Sequence, residues 1–128
     1  SAPRARLINA DARHTGRVWM HDLDSGDLIR EVPRKNAREF GDDVDLHGDR
    51  LMVIDGTGMT GSIDRYYSGR GWIFDADTGG LIHNFGVYTH QVSGLTCAKM
   101  SATDIVGCGA FWDQYVETGG VAWHWELP

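Results

Sequence analysis

The chain has 128 residues, of which 12 are Lys or Arg and 18 are Asp or Glu, so its formal net charge is −6. This acidic balance argues against sequence-independent nucleic-acid binding, which depends on basic side chains that neutralise phosphates. Apolar residues make up 41% and charged residues 23%, a composition that excludes a disordered or fibrous chain. No apolar run approaches the roughly 20 residues of a membrane span. We expect one domain, residues 1–128.

An internal repeat is the main signal in the sequence. Residues 69–82 match residues 16–29 at eight of fourteen positions, with an offset of 53. A third copy begins at Gly119 and continues to Trp125. Because self-similarity at a spacing near 50 residues marks repeat architectures, the chain is predicted to consist of structural units of that size.

Each unit is predicted to be a series of short strands, because β-branched and aromatic residues are punctuated by Asp, Ser and Gly and no segment keeps a helical period. In chain order the strands cover residues 7–10, 18–22, 28–32, 44–46, 51–54, 69–74, a segment after the turn at 77–79, and then 95–100, 105–108 and 121–125. Four strands in about 50 residues is the pattern of a β-propeller blade. The predicted fold is therefore all-β, with a partial blade at 5–33, a full blade at 40–85 and a partial blade at 91–127.

The strand list also predicts assembly. With strands named A to D from the centre of a propeller outward, the chain runs B-C-D, then A-B-C-D, then A-B-C, which is about two and a half blades. Four blades make about the smallest ring, and open sheet edges and faces are sites for pairing. We therefore expect a ring completed by oligomerisation, with other copies of this chain or with other subunits of a larger complex.

Several short motifs resemble the FG-GAP repeat, the blade type of integrin α-subunit heads and of many secreted bacterial propellers. Phe40-Gly41 stands at the start of a strand A, the apolar run 51–53 follows, and 69–74 serves as the closing strand. The next unit offers Asp-Ile-Val-Gly at 104–107 and Gly-Ala-Phe at 109–111. The resemblance covers residues 7–127 and implies a propeller whose B–C and D–A loops emerge on one face and bind partners.

The motifs depart from the family pattern at three places. Trp19 and Trp72 stand where the family has Tyr, no Gly-Ala-Pro is intact, and the second Phe-Gly, at 85–86, comes too early in its unit. Residues 74–79 also resemble the Asp-x-x-Thr-Gly turn of quinoprotein-type blades, which makes that family the nearest rival.

The B–C and D–A loops contain the predicted partner-binding residues. Loops that merely connect strands are expected to be polar, whereas large aromatics with Arg dominate affinity at binding surfaces. The candidate residues are Arg65, Tyr66, Tyr67, His90, Trp112, Asp113 and Tyr115. They predict a non-enzymatic interaction or assembly module for a protein or glycan partner, and the alternatives are an assembly contact or packing within a blade.

The residues that could bind a metal ion also fit roles in turns or in packing. Residues 43–49 resemble the opening of a calcium loop, but His47 and Leu51 supply no carboxylate where one is needed, so a tight hairpin is favoured. We therefore expect no cofactor, with calcium as the alternative. His21, Phe74 and His124 are expected to share a half-buried packing position.

An enzyme is the alternative function, and the chain shows no catalytic constellation. Neither a nucleophile elbow nor a phosphate-binding glycine loop occurs. The alternative would place a hydrolase, lyase or quinoprotein-like active site at the propeller mouth, and a purely structural subunit of a larger complex is the third possibility.

Cys97 and Cys108 are the two cysteines of the chain and stand equidistant from the turn between them. Residues so placed face each other across a hairpin, at a distance slightly longer than disulfide geometry prefers. A disulfide and two buried thiols are both open at this point. The pair, with the family resemblance, favours an extracellular or periplasmic protein.

Overall fold

The structure is a computed structural model that describes residues 6–11, 16–33, 40–55, 67–88, 92–113 and 116–127. The described strands are β1 (Arg6–Asp11), β2 (Arg17–Asp22), β3 (Leu28–Glu31), β4 (Phe40–His47), β5 (Arg50–Asp55), β6 (Tyr67–Asp75), β7 (Leu81–Tyr88), β8 (Val92–Met100), β9 (Asp104–Asp113) and β10 (Val116–Glu126). These residues contain no helix, so the predicted all-β class is confirmed.

The strands form three antiparallel sheets in which each strand pairs with its neighbour in the chain. Sheet 1 consists of β1, β2 and β3, sheet 2 of β4 to β7, and sheet 3 of β8, β9 and β10. Such meanders need only short connections, which fits the many turn residues of the sequence. The described strands do not close into a barrel.

Sheet 2 lies between the other two sheets and is buried on both faces. All five residues from Leu51 to Asp55 in β5 are buried. Because successive side chains of a strand point to opposite faces, Leu51 and Val53 pack toward sheet 1, whereas Met52 and Ile54 pack toward sheet 3. An uninterrupted apolar run is therefore explained by a strand that contributes to two cores.

Two apolar clusters hold the three sheets together. The cluster between sheets 1 and 2 contains Val18, Met20, Val32, Phe40, Leu51, Val53, Trp72, Phe74 and Ala76. The cluster between sheets 2 and 3 contains Met52, Ile54, Ile73, Phe85, Leu95, Ala98, Met100 and Ile105, with Trp123, Trp125 and Leu127 at its margin. Burial of this apolar surface is the main term that stabilises the stack.

The two ends of the stack differ. The guanidinium of Arg6, at the start of β1, donates to the carbonyl of Gly48, at the far end of β4, over 3.4 Å. A Cβ added to Gly41, at the start of β4, would lie 3.1 Å from the Cβ of Ala10, so β1 and β4 run in opposite directions. One end of the stack, the turn end, therefore gathers the turns at 23–27, 48–49, 76–80 and 101–103.

The opposite end, the loop end, gathers the other strand termini. β8 runs parallel to β4, because the backbone N–H groups of Ala98 and Met100 donate to the carboxylates of Asp43 and Asp45 in the same order along both strands. The strands that terminate at the loop end do so at Asp11, Arg17, Glu31, Phe40, Asp55, Tyr67, Tyr88, Val92, Asp113 and Val116. The five connections other than these turns, residues 12–16, 32–39, 56–66, 89–91 and 114–115, thus all join strand termini at the loop end.

The two copies of the repeat build the same turn. Asp22 and Asp75 each accept hydrogen bonds through Oδ1 from the backbone N–H groups two and three residues further on, at 2.8–3.1 Å. Gly26 and Gly79 follow with φ of 76° and 78°, a conformation that favours glycine. The Asp-x-Asp-x-Gly pattern that both copies share, at residues 22–26 and 75–79, is therefore used for turn geometry.

Candidate functional site

Three of the predicted partner-binding residues lie at the loop end. Tyr67 is the first residue of β6 and pairs in register with Tyr88, and Trp112 and Asp113 are the last residues of β9. The prediction that all three lie in loops was wrong, because the ladders of sheets 2 and 3 continue past irregular pairs into those segments. The other candidates, Arg65, Tyr66, His90 and Tyr115, lie outside the described residues.

A buried carboxylate at the loop end was not anticipated from the sequence. Asp55 ends β5 with 1% of its surface exposed, and its register partners are Phe40 and Arg70. Paired residues of a sheet share a face, so the three lie on the side of sheet 2 that meets sheet 1. The only sequence signal was that Asp55 directly follows the apolar run 51–54. An Asp at the end of such a run is expected to begin a connection and to be exposed to solvent.

Sheet 1 has a face that is not covered by the described residues. Val18 and Met20 point to sheet 2, so the alternate residues of the same strands point away from it. Three cross-strand rows form the face. They are Leu7, His21 and Leu28, then Asn9, Trp19 and Glu31, and then Asp11 and Arg17. We call these eight residues the sheet 1 open face.

An Arg and a Glu flank the tryptophan of this face. The Arg17 guanidinium lies 5.6 Å from the centre of the Trp19 ring, within the range of a cation–π contact. Arg17 also donates from Nε and Nη2 to the two carboxylate oxygens of Glu31, at 2.6 and 2.9 Å. These bonds lower the pKa of Glu31 and raise the pKa of Arg17, because each favours the charged form of its partner.

Sheet 3 also has a face, on the side away from sheet 2, that no described part of the chain covers. Cross-strand rows of Lys99, Val106 and His124, and of Cys97, Cys108 and Ala122, lie on it. We call these six residues together with Asp104 the sheet 3 open face. A carboxylate oxygen of Asp104 lies 2.7 Å from Nε2 of His124. Hydrogen bonds from the Thr103 hydroxyl and from the His124 imidazole lower the pKa of the Asp104 carboxyl.

Cys97 and Cys108 form a disulfide, one of the two states that the sequence left open. They are register partners across β8 and β9, as their equal distance from the turn predicts, and their Cα atoms lie 5.3 Å apart. This separation is within the range of disulfide-bonded pairs. The bridge closes a hairpin on the sheet 3 open face.

Asp43 and Asp45, the first two acidic residues of the possible calcium loop, accept hydrogen bonds from the backbone of sheet 3. Oδ2 of Asp43 accepts the N–H of Ala98 at 3.0 Å, and Oδ2 of Asp45 accepts the N–H of Met100 at 2.7 Å. Both donors lie on the edge of β8 that has no strand neighbour. The carboxylates of sheet 2 therefore satisfy edge groups of sheet 3 that would otherwise be available for strand pairing.

The expected equivalence of His21, Phe74 and His124 was wrong. Phe74 is buried between sheets 1 and 2, and His21 lies at the matching position on the sheet 1 open face. His124 is exposed and lies on the opposite face of its own sheet, because the third copy aligns Trp123 with Trp72 and so places Trp125 at the position of Phe74. Because the third copy is short, its predicted alignment was shifted by one residue, and such a shift exchanges the two faces of a strand.

Among the described residues, no three His, Cys, Asp or Glu side chains are grouped as a metal ion would require. Within the same ranges, no helix has the length and apolar character needed to traverse a membrane. A comparison with models of known protein families finds none that matches the chain, and a comparison with curated proteins finds no match either.

Proposed function

We propose that the chain is a non-enzymatic interaction and assembly module whose three sheets are successive propeller blades of FG-GAP type, and that it binds a protein or glycan partner through the loop end. The carrying observation is that the strand termini on both sides of each candidate binding segment lie at the same end of the stack. Strand termini next to Arg65, Tyr66, His90 and Tyr115 all lie at the loop end, opposite the tight turns. Residues that are distant in sequence thus adjoin the same end of the stack.

The stacking of the sheets supports the blade assignment. Each sheet is a short antiparallel meander, and neighbouring sheets pack face to face through apolar side chains. Propeller blades pack in this way around their channel. The equivalent placement of Trp72 and Trp123, each on the face that meets the preceding sheet, also fits a repeated blade.

The composition of the connections supports binding by the loop end. Aromatic side chains and Arg supply most of the affinity at protein interfaces, and aromatic rings also stack on sugar faces. A scaffold of packed sheets that holds loops at one end is a common arrangement for recognition. The disulfide between Cys97 and Cys108 supports an extracellular or periplasmic setting, where such bonds persist.

Binding is tested with the labelled chain on an array of neutral, acidic and sulfated glycans and on an array of random peptides. We expect the intact chain to bind at least one class of probe. Tyr66→Ala combined with Trp112→Ala is expected to weaken that binding by about tenfold or more, the effect of losing a hot-spot side chain. The control is His47→Ala, because His47 is an exposed residue beside the turn end.

Two results would contradict the proposal. One is the absence of binding to every probe on both arrays. The other is equal loss of binding by the double variant and by the His47→Ala control, with unchanged circular dichroism for both proteins.

A further inference from the structure

The repeat relates the sheet 1 open face to a face that is buried elsewhere in the chain. With the offset of 53, Trp19, His21 and Leu28 correspond to Trp72, Phe74 and Leu81. Trp72 and Phe74 lie within the apolar cluster between sheets 1 and 2. The sheet 1 open face is thus the counterpart of the surface by which sheet 2 packs on the sheet before it.

The sheet 3 open face has a buried counterpart as well. Trp123 aligns with Trp72, and the register then places Val106 at the position of Met52 and Cys108 at the position of Ile54. Met52 and Ile54 are fully buried against sheet 3. The sheet 3 open face therefore corresponds to the surface by which sheet 2 receives the sheet after it.

The two open faces are accordingly the two halves of one repeated interface. Within the chain this interface occurs twice, between sheets 1 and 2 and between sheets 2 and 3. A third instance joins the sheet 3 face of one molecule to the sheet 1 face of another through the counterparts of β5 and β6, which both sheets contain, while the described strands of sheet 1 include no counterpart of β8, to which Asp43 and Asp45 bind. The continuity with two existing interfaces identifies a second copy of this chain as the occupant.

From this match we infer that the sheet 3 open face of one copy docks on the sheet 1 open face of a second copy, head to tail. The inference rests on the assembly proposed above and names its surfaces and partner. Such a contact is heterologous, so each added copy leaves one open face of each kind until a ring closes.

Exposed aliphatic side chains mark both faces. Leu7 is 52% and Leu28 is 58% exposed on the sheet 1 face, and Val106 is 53% exposed on the sheet 3 face. Single exposed apolar residues are ordinary on protein surfaces, but these lie at positions whose counterparts in sheet 2 belong to apolar rows. Leu51, the counterpart of Leu7, is fully buried under sheet 1.

Most charged groups of both faces already have partners within their own chain, the exception among the described residues being Glu126, the register partner of Asp104. On the sheet 1 face Arg17 is paired with Glu31. On the sheet 3 face His124 is paired with Asp104, and the Lys99 ammonium lies 3.9 Å from a carboxylate oxygen of Asp43. These pairs reduce the cost of removing water from the charged groups that form them, a cost that would otherwise oppose docking.

The experiment compares self-association of three variants by sedimentation equilibrium over a wide concentration range. Leu7→Asp alters the sheet 1 face, Val106→Asp alters the sheet 3 face, and Leu23→Asp alters an exposed leucine at the turn end as the matched control. Each of the first two is expected to weaken self-association by about tenfold or more, because docking would bury an unpaired carboxylate. The control is expected to associate as the unchanged chain does.

A mixture of the Leu7→Asp and Val106→Asp proteins gives the decisive readout. The first keeps an intact sheet 3 face and the second keeps an intact sheet 1 face, so one unaltered contact can form between them. We expect a heterodimer of the two variants at concentrations where each alone is monomeric. Circular dichroism checks folding, and Leu28→Asp replaces Leu7→Asp if the latter does not fold.

Different outcomes overturn different statements. A chain that stays monomeric at every concentration contradicts both the inference and the proposed assembly. Oligomers that persist in Leu7→Asp and Val106→Asp contradict the assigned faces and leave the assembly standing. Loss of association in only one of the two variants, or a mixture that stays monomeric, contradicts the head-to-tail contact.

Discussion

The segments at 16–29 and 69–82 share eight of fourteen residues, yet their tryptophans have different environments. Trp72 is 4% exposed between sheets 1 and 2, whereas Trp19 is half-buried on an open face. In both segments an Arg guanidinium lies over the indole, at 5.6 Å in β2 and 5.5 Å in β6. Side-chain geometry within a strand thus repeats with the sequence, while burial depends on the neighbouring sheet.

The comparison predicts its largest effect for the two tryptophans themselves. Trp72→Ala is expected to lower the free energy of unfolding by about 3–5 kcal/mol, because it leaves a cavity in an apolar cluster. In the monomeric chain Trp19→Ala is expected to cost about 1 kcal/mol or less, since this ring lies on the sheet 1 open face and not in an apolar cluster. Urea unfolding of the two variants measures the difference, and equal losses would show that Trp19 is buried in solution.

A second prediction concerns the glycine that begins the second copy. Gly69 has φ of 124°, and a Cβ at this position would lie 2.4 Å from the Cβ of Leu95 in β8. Gly69→Ala is therefore expected to destabilise the chain by about 2–3 kcal/mol, from backbone strain and overlap together.

The matched control for this glycine is Gly26→Ala. Gly26 also has a positive φ, of 76°, but a Cβ there would meet no atom within 4 Å. The control is expected to cost about 1 kcal/mol, the backbone component alone. Thermal unfolding of both variants checks the order, and a larger loss for Gly26→Ala would contradict the close approach of β6 and β8.

The hairpins at the start of sheets 2 and 3 allow a third comparison. The β8–β9 hairpin has its disulfide at the positions that Asp43 and Ile54 occupy in the β4–β5 hairpin. Cys97→Ser combined with Cys108→Ser is expected to cost about 2–3 kcal/mol, because the unfolded chain loses a cross-link over a short loop. Equilibrium unfolding with and without reductant measures it, and reductant is expected to affect only the parent chain.

The smallest expected effect is a difference in acid sensitivity between the two copies. Trp19 pairs in register with Glu31, whereas Trp72 pairs with Asn84, which does not titrate. Hydrogen bonding by Arg17 lowers the pKa of Glu31 from 4.5 in the folded chain. The stability that Glu31 contributes is therefore present above about pH 4.5 and is lost as the pH falls through the lowered folded-state pKa.

Glu31→Gln isolates this contribution. The parent chain is expected to be more stable than the variant at pH 6, and the difference is expected to disappear toward pH 3. Urea unfolding across this range provides the measurement. A difference that grows on acidification would mean that the Arg17–Glu31 contact does not form in solution.

Much of the local structure was predictable from particular residues. The Asp-x-Asp-x-Gly pattern predicts the turns after β2 and β6, because Asp accepts local N–H bonds and Gly takes positive φ. The equal spacing of Cys97 and Cys108 about their turn predicts their register. The strand limits at the loop end were not predictable, because aromatic residues such as Tyr67 and Trp112 fit a strand end as well as a loop.

The sequence by itself determined where the chain turns, which segments pair as hairpins and which residues share a face of a strand. These features depend on backbone conformation and on contacts within a few residues. Only the tertiary structure decided that Trp72 is buried while Trp19 is not, and that Asp43 and Asp45 bind the edge of β8. Burial and edge contacts depend on which two sheets pack together. The residues of a single strand do not specify this, because the same strand could pack against different neighbours.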